Sequence, residues 1–160
     1  MNLPFYDPAQ ETSITGVDPA AQMQELAKKR AATVPIPVAM ASVDLHGINA
    51  ETARFDTIVM TFTLCSIAEP IFALKEMRRV MKPSGRLLFC EHGLAPSEGV
   101  QRWQRRMTPM WRKIAGGCHL DRDVPAMLRE GGFVIGDLSR GYVAGPKPMT
   151  YLYSGWATHH

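Results

Sequence analysis

His92, His119 and Asp121 are the side chains of this sequence best suited to proton transfer near neutral pH, an imidazole titrating there and a carboxylate able to orient one. His119 and Asp121 stand two positions apart in GGCHLDRD, and His92 closes the run FCEH. A lone histidine is more often a hydrogen-bonded structural group than a base, so both roles stay open for each. Asp18, in ITGVDP, offers different chemistry. A carboxylate at the end of a strand is placed to accept hydrogen bonds from both ribose hydroxyls of a nucleotide cofactor, yet Asp is also a favoured cap for a helix opening at Pro19. Cys65, Cys90 and Cys118 are odd in number and lack C-x-x-C spacing. Cys118 beside His119, with Cys90 and His92, is the one Cys/His grouping; adjacent residues rarely ligate one ion, and zinc spacing is absent, so no metal is expected. Cys65, in TLCS, has no base near it in sequence and reads as a small packing residue.

These residues need strands and helices to bring them to one edge. Phe55 to His92 reads as a complete strand, helix, strand unit. Phe55 to Met60 is a buried strand, and Phe62, Leu64 and Ile67 carry apolar character into the loop behind it. From Pro70, Ile71, Leu74, Met77 or Arg78 and Met81 recur at helical spacing, and Pro83, Ser84 and Gly85 are expected to stop the helix and turn the chain. Arg86 to Cys90 is a second buried strand, presenting Glu91 and His92 at its end. Upstream, Thr12 to Val17 is a strand, Pro19 to about Ala32 a helix, and Val38 to Val43 a third strand after Pro35 and Pro37. Downstream, Val100, Trp103, Met107, Trp111 and Ile114 form an apolar stripe expected to bend at Pro109. Asp123 to Arg129 is a short helix stopped by Gly131 and Gly132, and the strands FVIGDLS and MTYLYSGWA close the chain. Strands alternating with helices predict an α/β fold: a mostly parallel sheet, helices on both faces, and an antiparallel C-terminal strand pair.

Length and composition fit one domain over residues 1–160. A formal charge of +3 is too small to imply nucleic acid. No apolar run approaches the ~20 residues that span a bilayer. The first residues lack the charged start and apolar core of a secretory signal, and with unpaired cysteines a reduced, cytoplasmic protein is expected.

FDTIVMTFTLCSI, LKEMRRVMKPSGRLLFCEH, GGCHLDRD and PMTYLYSGWA, in that order, resemble class I S-adenosylmethionine-dependent methyltransferases. The likeness is to the small members related to thiol and phosphatidylethanolamine methylation, and it runs from about Leu3 to about Ala157. It implies a Rossmann-like fold, S-adenosyl-L-methionine as cofactor, and methyl transfer to a small thiol, amine or lipid head group. One part of the family pattern has no counterpart: the opening strand and its G-x-G-x-G turn. MNLPFYDPAQ resembles the segment just past that turn. The expectation is therefore a truncated methyltransferase domain with its first strand missing. Either it retains impaired activity or it is a non-catalytic remnant that interacts or dimerises. In the family's sheet that strand lies centrally, so its loss leaves two edges unpaired.

The resemblance assigns Asp18 and the adjoining Pro19 to the ribose, Ser42 and Val43 to the adenine ring, and Thr61 and Phe62 to the methionine part. Ser42 stands where many relatives carry Asp, which predicts a weaker or water-mediated adenine contact. A thiol or amine acceptor must lose a proton, and His119, His92 and Asp121 are the candidates to take it. The basic stripe helix, with Arg102, Arg105, Arg106, Arg112 and Lys113 and two tryptophans, has two readings. The commoner is a lid or surface helix with its stripe in the core; the other is peripheral membrane contact through residues 100–114.

Overall fold

The computed structural model describes residues 2–18, 21–44 and 46–159, with backbone alone for 21–23. Two compact units emerge, Met1–Glu51 and Thr52–His160.

In the first unit, β1 (Ile14–Val17) and β2 (Val38–Ala41) run parallel, Ile14 opposite Val38 and Val17 opposite Ala41, with α1 (Ala21–Ala31) between them in the chain. A parallel pair requires such a crossover. Lys28, Lys29 and Arg30 in the last turn of α1 complement its negative C-terminal end. The predicted third strand breaks at Ser42. Asn49 donates to Ser42 from both its backbone N–H (2.9 Å) and its side chain (3.3 Å), which separates β2 from a small hairpin of β3 (Val43–Asp44) and β4 (Gly47–Ile48).

The second unit holds a mixed sheet in the order β5, β6, β8, β7, where β5 is Phe55–Thr61, β6 Met81–His92, β7 Val134–Tyr142 and β8 Tyr151–Thr158. β5 and β6 are parallel across α2 (Pro70–Val80), and the closing strands β7 and β8 pair antiparallel as predicted. The core gathers Met60, Leu74, Leu87, Phe89, Leu128 and Phe133 between sheet and helices. Residues Pro83 to Gly85 do not form a turn. The helix ends at Val80, Met81 is already extended, and the next residues bulge within β6 between its pairings to Phe55 and Thr57. Gly85 is required there, since a Cβ would fall 2.9 Å from the carbonyl oxygens of Asp56 and Lys82.

The stripe helix, α3 (Glu98–Ile114), departs most from expectation. It runs through Pro109; Val100 and Trp111 of the predicted stripe pack against the core clusters, but its fully buried residues are Gln104 and Thr108, while Trp103, Met110 and Ile114 are 60%, 72% and 75% exposed. The reason is the chain leaving β6, whose backbone groups have no strand to pair with. The Gln104 amide donates to the Gly93 and Pro148 carbonyls (3.0 and 3.2 Å) and accepts from the Ala95 N–H at 3.0 Å. Gln101 donates to the Ala95 carbonyl. Satisfying buried backbone outweighs burying one more apolar face. The short helix α4 (Val124–Glu130) begins as predicted at Asp123, whose carboxylate accepts from the Ala126 N–H. No helix among the described residues is long and apolar enough to cross a membrane.

Candidate active site

The predicted cofactor residues of the first unit lie at the ends of its parallel strands. Asp18 comes directly after β1, and its carbonyl accepts from the Gln24 side chain at 2.7 Å, holding the strand end against the first turns of α1. Ser42 is exposed just after β2, and Val43 begins the hairpin. Pro19 lies outside the described residues.

In the second unit, Thr61 ends β5 and Phe62 comes next with φ +50, a left-handed conformation uncommon for a bulky side chain. The Phe62 N–H donates to the Cys90 carbonyl, and the ring is turned outward against His92, with 4.8 Å between ring centroids. Strain of this kind persists where the surroundings enforce it. Donor chemistry fits S-adenosylmethionine in kind: a carboxylate after β1 for ribose hydroxyls, a hydroxyl after β2 for a ring edge, and an aromatic face at the tip of β5 for a sulfonium. Each is placed within its own unit.

His119 and Asp121 approach each other, Nδ1 to Oδ1 at 3.9 Å, longer than a hydrogen bond. The imidazole of His119 titrates below its ordinary value because of burial first, then the Arg122 and Arg112 guanidinium groups, with Asp121 opposing. At neutral pH it is therefore an unprotonated acceptor. Its backbone N–H donates to the Cys65 carbonyl at 2.7 Å, joining the loop after α3 to the loop after β5. Gly117 makes that approach possible: at φ +86, its missing Cβ would sit 3.0 Å from the Ser66 carbonyl oxygen.

Two residues that organise this site escaped sequence reasoning. Glu91, fully buried at the end of β6, accepts the backbone N–H groups of Thr63 (2.7 Å) and Cys65 (3.1 Å). Burial pushes its carboxyl upward in pKa, and the N–H bonds pull it back. Arg122 donates to the Leu64 and Ile67 carbonyls of the same loop, and its own carbonyl accepts from Leu94. The one available signal was an acid beside His92 at a strand end, which marks a polar end but names no partner. Cys65 is buried as expected but not isolated, for it lies beside His92 and Cys118.

A family model described as methyltransferase domain matches residues 3–89. Thiol S-methyltransferase TMT1B of Rattus norvegicus is 35% identical over 127 residues, covering 76% of this chain and 51% of that protein, so the chain spans about half the length of such relatives. Among solved structures, an S-adenosylmethionine-dependent methyltransferase from Methanosarcina mazei superposes with a TM-score of 0.70 at 18% identity, covering 92% of this chain and 82% of that one. The trans-methyltransferase CalH, solved in complex with S-adenosylhomocysteine, gives 0.60 at 21% identity over 92% of this chain and 43% of its own. The family match, the curated relatives and the structural likeness agree, and the chain belongs to the class I, Rossmann-like family of methyltransferases whose cofactor is S-adenosyl-L-methionine.

Proposed function

We propose that this chain transfers a methyl group from S-adenosylmethionine to the sulfur of a small thiol. The likeness to thiol S-methyltransferases over 127 residues carries the reading, and an unprotonated His119 suits it, because a thiol must shed its proton to become a nucleophile. The cofactor, when bound, supplies an electrophilic methyl on a sulfonium. Asp18 would accept the ribose hydroxyls, Ser42 and Val43 would meet the adenine edge, and Thr61 and Phe62 would border the methionine part. His119 takes the thiol proton at one ring nitrogen, with Asp121 nearby to stabilise the imidazolium that results. Glu91 and Arg122 hold the loop over which this happens.

The test is calorimetric titration with S-adenosylhomocysteine, then labelled methyl transfer to 2-mercaptoethanol and to a small amine of similar size. Binding with S-methyl product is expected. Binding without S-methylation would remove the thiol assignment, and no binding at all would remove the enzyme assignment. Asp18→Ala should weaken S-adenosylhomocysteine binding about tenfold or more, since it strips a charge-assisted hydrogen bond.

A second reading concerns location. Trp103, Met110 and Ile114 face solvent and are bordered by Arg102, Arg106 and Lys113, all exposed. That arrangement suits an anionic membrane surface better than a core helix. Cosedimentation with phosphatidylserine vesicles should be salt-sensitive and lost in a Trp103→Ala, Ile114→Ala double variant; absence of binding at low salt removes this reading.

A further inference from the structure

Three segments distant in sequence meet at one point of the second unit: the loop after β5 brings Cys65, the end of β6 brings His92, and the loop after α3 brings Cys118. Their Sγ, Nδ1 or Nε2, and Sγ atoms all lie within 4.8 Å of one another, with Cys118 Sγ 3.9 Å from His92 Nδ1. A tetrahedral zinc ion, with bonds of about 2.3 Å to sulfur and 2.0 Å to nitrogen, needs ligand atoms about 3.5–3.8 Å apart. Closing that gap takes shifts of up to about 1.3 Å per pair, a scale that side-chain rotation can supply. The geometry points to a zinc-binding site formed by Cys65, His92 and Cys118.

The surroundings are those of a prepared site. Cys65 and Cys118 are buried, 1% and 6% exposed, and His92 is half-buried, so two soft donors are shielded while the imidazole keeps a path to solvent. Glu91 and Arg122 fix the loop that carries Cys65 through four backbone groups, two N–H and two carbonyl. Metal sites depend on such partners to orient their ligands. The indole Nε1 of Trp111 is buried without a hydrogen-bond partner among the described residues, and its ring packs against the cluster of Cys65, Cys118 and Leu120. A metal-bound thiolate there would supply an acceptor beside it. The charges also balance, because two thiolates neutralise the divalent ion. Three protein donors leave a fourth position open, as in zinc sites that exchange a ligand.

Sequence reasoning expected no metal because it grouped Cys118 with its neighbour His119 and paired Cys90 with His92. The fold makes a different selection. Cys90 is outside the cluster, and the cysteine that completes it, Cys65, is 27 positions before His92. On this assignment His92 is a ligand and leaves proton transfer to His119. The site stands whatever the methyl acceptor is.

The full reduced chain should be titrated with Zn²⁺ against a chromophoric chelator and, separately, with Co²⁺ as an optical probe. One equivalent of zinc, a tetrahedral cobalt spectrum with thiolate-to-metal charge transfer, and protection of two cysteines from alkylation are expected. His92→Ala and Cys118→Ser should each weaken zinc binding by more than about 100-fold, because losing a ligand exceeds the 10–100-fold typical of losing one of its outer partners. Cys90→Ser should change nothing. Should the buried Cys118→Ser variant fail to fold, the half-exposed His92→Ala decides alone. No zinc binding, binding that survives His92→Ala, binding lost in Cys90→Ser, or a Cys65–Cys118 disulfide that forms equally fast with zinc present would each overturn the assignment.

Discussion

Glu91 shows how much a single buried carboxylate organises here. Among the described residues it has no cationic partner at salt-bridge distance, and its two oxygens are instead spent on the N–H groups of Thr63 and Cys65. Glu91→Gln puts an amide NH₂ where an acceptor is needed, leaving one buried N–H facing a donor. A loss of about 1–3 kcal/mol in urea denaturation is expected, together with weaker zinc binding, because the loop carrying Cys65 is released. Tyr153 offers a pH signature. Its hydroxyl donates to the Leu94 carbonyl at 2.6 Å, and burial, helped by Tyr151, pushes its pKa up to about 12. The unfolded chain gives up that proton near pH 10. Between those values the native state holds a proton that the unfolded state has lost, so this contribution to stability is complete below about pH 10 and fades as pH rises towards 12. Tyr153→Phe should flatten the alkaline limb of a stability profile while costing about 1 kcal/mol at neutral pH.

At the scale of elements, α3 follows hydrophobicity only in part. Val100 and Trp111 of its stripe pack against the two core clusters while Trp103 and Ile114 face outward, and Gln104 takes the most buried place because the chain after β6 carries backbone groups that a side-chain amide within reach can satisfy. Removing an exposed apolar residue from such a helix should matter little, and removing the buried polar one should matter greatly. Gln104→Ala is expected to destabilise the fold by about 2–4 kcal/mol through three orphaned backbone groups, whereas Trp103→Ala should stay within about 0.5 kcal/mol. Equal losses in chemical denaturation would refute the assignment of α3's anchoring face. The same helix thereby keeps Trp103, Met110 and Ile114 available for a surface, which is the basis of the membrane reading.

For the whole molecule, the governing feature is the pairing of its strands. Among the described residues β1 pairs only with β2, and β5 only with β6. An edge strand presents a row of unpaired N–H and carbonyl groups, and β5 adds an exposed Val59. Concentration-dependent association is therefore expected by sedimentation velocity or light scattering; a monomer that stays dispersed at high concentration would show that these edges are otherwise covered.

Much of the fold was legible from local signals. The strand at Phe55, the helix opening at Pro70, the cap at Asp123 and the antiparallel closing strands arise from residue periodicity, proline at a first helical turn, a carboxylate at a cap, and a short connection, all of which act within a few residues. The family was also legible, since its motifs are contiguous runs. What only tertiary structure decided depends on long-range partners: that Ser42 ends one strand by pairing with Asn49, that Pro83 to Gly85 bulge within a strand, and that α3 buries Gln104. The same holds for the meeting of Cys65, His92 and Cys118, because a ligand set drawn from three loops has no spacing to read, and the distances between its atoms are fixed by how the sheet and α3 pack.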